Sequence, residues 1–173
     1  MIGRMLRNPN RAYRPRIVLA VLLLLPSPIV VSGAEPSWSN FEALDLEGKT
    51  FDGNRLEGQV VLLDFWATWC GPCIQAISTL NQLQEEFSEV GLEVVGIAAY
   101  SGTRDDVQQF VARHQPHYAI VMGDEDLVER FGVIGYPTYF LIDRQGRIAE
   151  TYVGEIESIL EEVVSKIREL TQN

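Results

Sequence analysis

The chain has 173 residues, and the 139 residues that follow position 34 are enough for one domain with a full core. Its 24 acidic side chains outnumber its 14 basic ones, which gives a formal net charge of −10 at pH 7. An acidic surface of this kind favours solubility and excludes nucleic acid as an expected partner.

The first 34 residues differ in composition from the rest of the chain. Five arginines precede the uninterrupted apolar stretch Ile17–Leu25, and no acidic residue occurs before Glu35. A basic region followed by a short apolar region and then small residues is typical of a secretory leader. Ser32 and Ala34 are candidates for the small pair before a cleavage site.

Retention of this segment as a membrane anchor is the alternative. Ile17–Val31 has 15 residues and contains two prolines, whereas a spanning helix needs about 20 apolar residues, so cleavage is favoured. We therefore predict a signal peptide or anchor over residues 1–34 and one domain over residues 35–173. The protein is expected to be exported to the periplasm, either soluble or anchored.

The elements of the domain are predicted from hydrophobic periodicity and from turn residues. Phe41–Asp45 alternates between apolar and polar side chains, which indicates an edge strand, and residues 50–59 give weak signals. Val60–Trp66 is an apolar run that predicts a buried strand, and a helix follows from about Pro72 to Phe87.

A second buried strand is predicted over Leu92–Ala99, so that strand, helix and strand form a parallel unit with a right-handed crossover. The later elements follow in order: a helix from about Thr103 to His114, a strand Tyr118–Met122, a short helix Asp124–Phe131, a hairpin of the strands Tyr139–Asp143 and Ile148–Val153, and a last helix from Ile156 to about Leu170.

Cys70 and Cys73 are the only cysteines, and Cys70 lies where the helix after Val60–Trp66 is predicted to begin. Unpaired backbone N–H groups and the positive end of the helix dipole stabilise a thiolate there. Such a cysteine can have its pKa lowered from about 8.5 to roughly 3.5–7.5. Cys73 lies three residues further on, close enough to attack a mixed disulfide at Cys70. The pair is therefore predicted to cycle between dithiol and disulfide.

Other interpretations of the pair are weaker. A loop across two residues removes little chain entropy, so stability is a poor reason for a disulfide here. The two cysteines together with His114 and His117 would make up the four ligands of a zinc site, but the histidine spacing fits known zinc-binding patterns poorly. A thiol peroxidase and a binding module that holds metal or client without turnover remain the alternative functions.

The run Val60–Cys73, the segment Gly135-Tyr136-Pro137-Thr138 and the hairpin and helix after it resemble the thioredoxin superfamily over nearly all of residues 38–170. The resemblance implies an α/β thioredoxin-like fold, with a central mixed β-sheet flanked by helices. It also implies a cis peptide bond between Tyr136 and Pro137.

Three further features resemble the TlpA-like and ResA-like exported thioredoxins: the leader, an N-terminal hairpin over residues 41–51, and a helix-strand insert over residues 103–122. This resemblance implies a thiol-disulfide oxidoreductase outside the cytoplasm that is usually reducing. Its implied partners are exported proteins with disulfides or thiols, including cytochrome c maturation clients, and a membrane electron donor. Ile74, Ala76 and Ser78 replace residues that are frequent in that group, so general thiol exchange is better supported than a specialised role with haem proteins.

The chain carries neither a glycine-rich dinucleotide fingerprint nor a P-loop. We therefore expect no cofactor other than the redox-active Cys70–Cys73 disulfide, and no metal. The resemblance to the thioredoxin superfamily implies that Cys70 attacks the substrate and that Cys73 resolves the mixed disulfide. Gly71 and Pro72 set the geometry and a reducing potential, near the thioredoxin end of the range of about −270 to −120 mV.

The remaining predicted site residues surround this pair. Asp64, the one charged residue of its apolar run, matches a buried acid that accepts the proton of the resolving thiol through water, and burial would raise its pKa. A hydrogen-bonded structural carboxylate is the alternative. Pro137 is expected to face Cys70 and to leave the backbone of Tyr136 free to pair with substrate. Trp69 is expected to be an exposed platform beside Cys70.

Overall fold

A computed structural model of the chain describes residues 41–172. The predicted leader over residues 1–34 lies outside the described residues. Within residues 41–172, no helix combines the length and the apolar character that crossing a membrane requires.

The described residues form strands and helices in the order predicted from the sequence. The strands are β1 (Glu42–Asp45), β2 (Thr50–Asp52), β3 (Val60–Trp66), β4 (Leu92–Ala99), β5 (Ala119–Gly123), β6 (Thr138–Ile142) and β7 (Ile148–Val153). The helices are α1 (Gly71–Phe87), α2 (Arg104–His114), α3 (Glu125–Arg130) and α4 (Ile156–Gln172).

All seven of these strands join one mixed sheet in the order β2-β1-β5-β4-β3-β6-β7. The three central strands β5, β4 and β3 are parallel, and the pairs on either side of them are antiparallel. The β1-β2 hairpin extends the sheet beyond β5, the strand of the predicted helix-strand insert. The thioredoxin-like α/β fold is confirmed.

Strand β3 lies in the middle of the sheet and is buried along its whole length. Leu62 and Trp66 point to one face, where they pack in the cluster that also holds Cys70 and Cys73. Leu63 and Phe65 belong to the separate cluster on the other face. A strand with both faces covered needs a continuous apolar run rather than alternation, which is the pattern of this segment.

Several boundaries differ from the prediction by a residue, and side-chain caps explain two of them. The side chain of Asp124 accepts a hydrogen bond from the Leu127 N–H, so Asp124 caps α3 instead of belonging to it. The Asp143 carboxylate accepts hydrogen bonds from the backbone N–H groups of Gln145 and Arg147, which places it in the turn after β6.

Candidate active site

The junction between β3 and α1 positions the cysteine pair. Cys70 is the N-cap residue of α1, and its Sγ accepts a hydrogen bond from the Cys73 backbone N–H at 3.2 Å. Gly71 and Pro72 are the first two helical residues. Proline is tolerated there because its missing N–H would have had no partner within the helix.

Cys70 and Cys73 are joined by a disulfide bond, so the structure represents the oxidised form. Both residues are buried, with exposed fractions of 5% and 2%. On reduction, the amide that contacts Cys70 Sγ and the positive end of the helix dipole would stabilise a thiolate at Cys70. The structure therefore places Cys70 at the predicted helix N-terminus and Cys73 within disulfide distance of it, and the roles of the two sulfurs stay predictions.

Aromatic side chains stand beside the pair. Trp69 is 67% exposed, and its indole N–H donates to the backbone carbonyl of Tyr100 at 3.0 Å. Its ring meets the half-buried ring of Tyr136 edge to face, with the ring centroids 5.9 Å apart. The Trp69 side chain, the predicted platform, is thus held by one hydrogen bond and one ring contact.

The loop after β4 holds two residues that the sequence analysis did not assign to the site. The Thr68 backbone N–H donates to the hydroxyl of the buried Ser101 at 3.0 Å, which ties this loop to the loop before Cys70. Tyr100 is 56% exposed and has a φ of 49°, in the left-handed region. Their position directly after a parallel strand was the available signal, because such strands end at the same edge of the sheet as β3.

The loop before β6 completes the surroundings of the disulfide. The Tyr136–Pro137 peptide bond is cis, and Pro137 is buried. The Pro137 carbonyl accepts a hydrogen bond from the Gly154 N–H at 3.0 Å, and the Thr138 hydroxyl donates to the Gly135 carbonyl at 2.8 Å. Tyr136 packs on the cluster that contains Cys70 and Cys73. This loop and the β3-α1 junction therefore lie against each other.

Asp64 lies in the middle of β3 with an exposed fraction of 1%. Side chains alternate along a strand, so Asp64 shares the face of Leu62 and Trp66, and therefore of the cysteine cluster. Burial raises the pKa of its carboxyl to about 8. Within residues 41–172, its Oδ1 atom has no hydrogen-bond partner. An acid with this pKa is a candidate base near neutral pH.

The two histidines lie apart from this arrangement. The ring of His114 packs on Phe110, with the centroids 4.2 Å apart, and the His117 backbone N–H donates to the Asn81 side chain. In the part of the chain that the structure describes, no cluster of three or more His, Cys, Asp or Glu side chains could hold a metal ion.

This fold and site define the class of thioredoxin-like thiol-disulfide oxidoreductases. A disulfide-forming cysteine pair lies at the start of the helix that follows a central strand of a mixed sheet. Comparison with known proteins agrees with this class. The chain belongs to the AhpC/TSA family, which matches residues 36–151.

Similar proteins carry names from this class. The chain is 37% identical over 131 residues to the thiol-disulfide oxidoreductase ResA of Bacillus thuringiensis subsp. konkukian, an alignment that covers 74% of this chain and 75% of the relative. It is 29% identical to the thioredoxin-like protein YneN of Bacillus subtilis, over 65% of this chain and 70% of that protein.

Solved structures resemble the described domain. A putative thiol:disulfide interchange protein DsbE from Chlorobium tepidum superposes with a TM-score of 0.73 at 29% identity, covering 78% of this chain and 95% of that one. A secreted thiol-disulfide isomerase from Corynebacterium glutamicum superposes with a TM-score of 0.70 at 25% identity, covering 78% of this chain and 84% of that one.

Proposed function

We propose that this oxidoreductase is exported and reduces disulfides in extracytoplasmic proteins through its Cys70–Cys73 dithiol. One observation carries the proposal: Cys70 caps α1, and the Cys73 amide donates to its sulfur. A sulfur held this way is a better thiolate and a better leaving group than a free thiol, because the amide and the helix dipole stabilise its negative charge.

The first step is the attack of the reduced protein on its client. The Cys70 thiolate forms a bond to one sulfur of the client disulfide, and the S–S bond of the client breaks. The second client sulfur leaves as a thiolate that takes a proton from water. The product is a mixed disulfide between Cys70 and the client.

The second step resolves this intermediate. The Cys73 thiol gives its proton to the Asp64 carboxylate, and the resulting thiolate attacks Cys70 Sγ. The bond to the client breaks, and the client leaves with both of its cysteines reduced. The protein is left with the Cys70–Cys73 disulfide, so two electrons have passed to the client. A dithiol donor at the membrane would restore the reduced form, and no further cofactor or metal takes part.

Substrate contacts are assigned to the surface around Cys70. Pro137 has no backbone N–H, so the adjacent backbone of Tyr136 can pair with an extended client segment. The exposed ring of Trp69 offers apolar contact area to the same segment. Gly71 and Pro72 hold the spacing between the sulfurs and favour a reducing potential, as in thioredoxin-type pairs.

The predicted leader supports a location outside the cytoplasm, and the similar isomerase of Corynebacterium glutamicum is described as secreted. After removal of residues 1–34, the domain would carry 9 basic and 24 acidic side chains, a net charge of −15. Such a surface attracts basic client segments and disfavours nucleic acid. Cytochrome c maturation proteins are one client class, beside other exported proteins with cysteines.

Reduction of insulin by the dithiol form tests the proposal. The wild-type protein is expected to reduce insulin when a dithiol reductant is supplied, and Cys70→Ala should abolish the activity. In a Cys73→Ala variant, Cys70 should accumulate mixed disulfides with clients, which mass spectrometry would identify, and a Cys70→Ala/Cys73→Ala protein is the matched control. Full insulin reduction by Cys70→Ala would contradict the assignment. Consumption of hydrogen peroxide at a higher rate than insulin reduction would favour the thiol peroxidase alternative.

A further inference from the structure

Three buried polar atoms lack a hydrogen-bond partner in the described part of the chain: Asp64 Oδ1, Trp66 Nε1 and Tyr139 Oη. Asp64, Trp66 and Tyr139 are 1%, 4% and 0% exposed. Most buried polar groups in proteins are hydrogen-bonded to protein or to ordered water, so each such atom needs an explanation. Here a single explanation serves all three.

Gly96 on β4 brings the indole of Trp66 next to the carboxyl of Asp64. Gly96 is the register partner of Asp64, on a strand about 4.8 Å away. A Cβ atom at Gly96 would lie 2.9 Å from Trp66 Nε1 and 3.1 Å from Tyr118 Cε2. The indole N–H therefore shares with the side chains of Ile120 and Tyr118 the space into which a side chain at position 96 would project.

Tyr139 approaches the same carboxyl from the opposite side. It is the register partner of Asp64 on β6, and it belongs to the same hydrophobic cluster as Trp66 and the two cysteines. The Asp64 carboxyl thus lies between an indole on the side of β4 and a phenol on the side of β6. An indole N–H donates, a phenol donates or accepts, and an ionised carboxylate accepts.

These groups are chemically complementary but do not bond to one another directly. A buried water molecule typically makes about three hydrogen bonds to buried polar groups that are otherwise unsatisfied. We propose that one internal water molecule accepts hydrogen bonds from Trp66 Nε1–H and Tyr139 Oη–H and donates one to Asp64 Oδ1. Trp66 and Tyr139 are then positioning residues that favour the ionised form of Asp64, the form that takes the proton of Cys73 in the proposed function.

The titratable groups near Asp64 bring no positive charge that would favour its ionised form. Burial, together with the charge of Asp64, raises the pKa values of Tyr118 and Tyr139, so both phenols stay neutral. Glu157 on α4 faces Tyr139 and accepts a hydrogen bond from the Thr79 hydroxyl at 3.1 Å.

Two more titratable groups lie on α1 and α2, helices that pack on this face of the sheet. Cys73 on α1 is held in the disulfide. His114 on α2 packs against Phe110, whose ring in turn packs on Trp66 with the centroids 4.8 Å apart. Neither group donates a hydrogen bond to the carboxyl in the oxidised protein, so its ionised form depends on neutral donors, among them those proposed on β3 and β6.

Titration of Asp64 in the oxidised full-length chain tests the proposal without turnover. The readout is the ¹³C resonance of the labelled Asp64 carboxyl, identified by its loss in Asp64→Asn. Trp66→Phe removes the N–H that holds the water and should raise the titration midpoint by about one pH unit, the size expected if the charge-assisted hydrogen bond from the water to Asp64 is lost with it. Tyr139→Phe should shift it in the same direction. Tyr152→Phe, a half-buried neighbour of Tyr139 on β7, is the control and should leave it unchanged.

Two further measurements separate this network from a change in packing. In the wild-type chain, the indole proton of Trp66 should show cross-relaxation with a long-lived water, and this signal should weaken in Tyr139→Phe, which keeps the ring. Unchanged midpoints in both Trp66→Phe and Tyr139→Phe, or no water signal at the indole, would overturn the proposal. The proposed function fails separately, through loss of insulin reduction by the wild-type protein.

Discussion

Replacement of Asp64 by Asn should stabilise the folded protein, and the gain should depend on pH. Burial raises the pKa of the carboxyl from 3.8 to about 8. Between these values the folded chain holds a proton that the unfolded chain has released, so the free energy of unfolding falls as the pH rises. An amide at this position does not titrate, and the variant therefore lacks this part of the pH dependence.

The magnitude follows from the interval between the two pKa values. One pH unit corresponds to about 1.36 kcal/mol, and pH 7 lies about three units above 3.8. The free energy of unfolding of Asp64→Asn should therefore exceed that of the wild type by about 4 kcal/mol at pH 7, relative to their difference at pH 4. Above pH 8 the difference should level off, because both states of the wild-type chain are then ionised.

Urea unfolding of the oxidised proteins at a series of pH values between 4 and 8 measures this difference. Asp143→Asn is the matched control with the opposite trend. Desolvation raises the pKa of Asp143, but hydrogen bonds from Arg147 and Gln145 and the charge of Arg147 lower it further, so that the net shift is downward. Asp143 therefore stabilises the fold above the unfolded-state pKa and loses this contribution as the pH falls. A difference between wild type and Asp64→Asn that stays constant from pH 4 to 8 would refute the reasoning.

Three other outcomes follow from the structure. Asp64→Asn should slow the release of client from the mixed disulfide about tenfold to 100-fold in single-turnover experiments, because Cys73 loses its base; an unchanged rate would exclude that role. Phe65→Ala should lower the free energy of unfolding by about 3–5 kcal/mol in urea titrations, since the ring is fully buried; a loss below about 1 kcal/mol would contradict its place in the core. Tyr100→Gly should keep or raise the thermal unfolding midpoint, because glycine adopts a φ of 49° without strain, whereas Tyr100→Val should lower it. Equal midpoints for the two variants would argue against backbone strain at this position.

The elements nearest the site were predictable because their signals are local. Val60–Trp66 and Leu92–Ala99 have the bounds expected from their apolar runs, since a strand covered on both faces needs no polar positions. The start of α1 followed from a proline that fits only the first helical turn. Together these segments place Cys70 at a helix N-terminus before any tertiary contact is considered.

Features that depend on strand register were not predictable. The N-terminal hairpin was predicted, but residues 50–59 gave weak signals, so the bounds of its second strand, Thr50–Asp52, are known only from its pairing with β1. The neighbourhood of Asp64 is the clearest case, since Gly96 and Tyr139 lie 32 and 75 positions away and meet it only through the register of three strands. A sequence pattern identifies a buried acid, but it does not indicate which groups lie against it.

The destabilising burial of Asp64 and its proposed role have one physical origin. An exposed aspartate, with a pKa of about 3.9, would be a poor acceptor for a thiol proton with a pKa of about 8.5. Burial brings the pKa of Asp64 to about 8, close to the ordinary pKa of a free thiol. The desolvation that costs the fold stability at neutral pH is therefore also what would suit this carboxyl to its proposed role as a base.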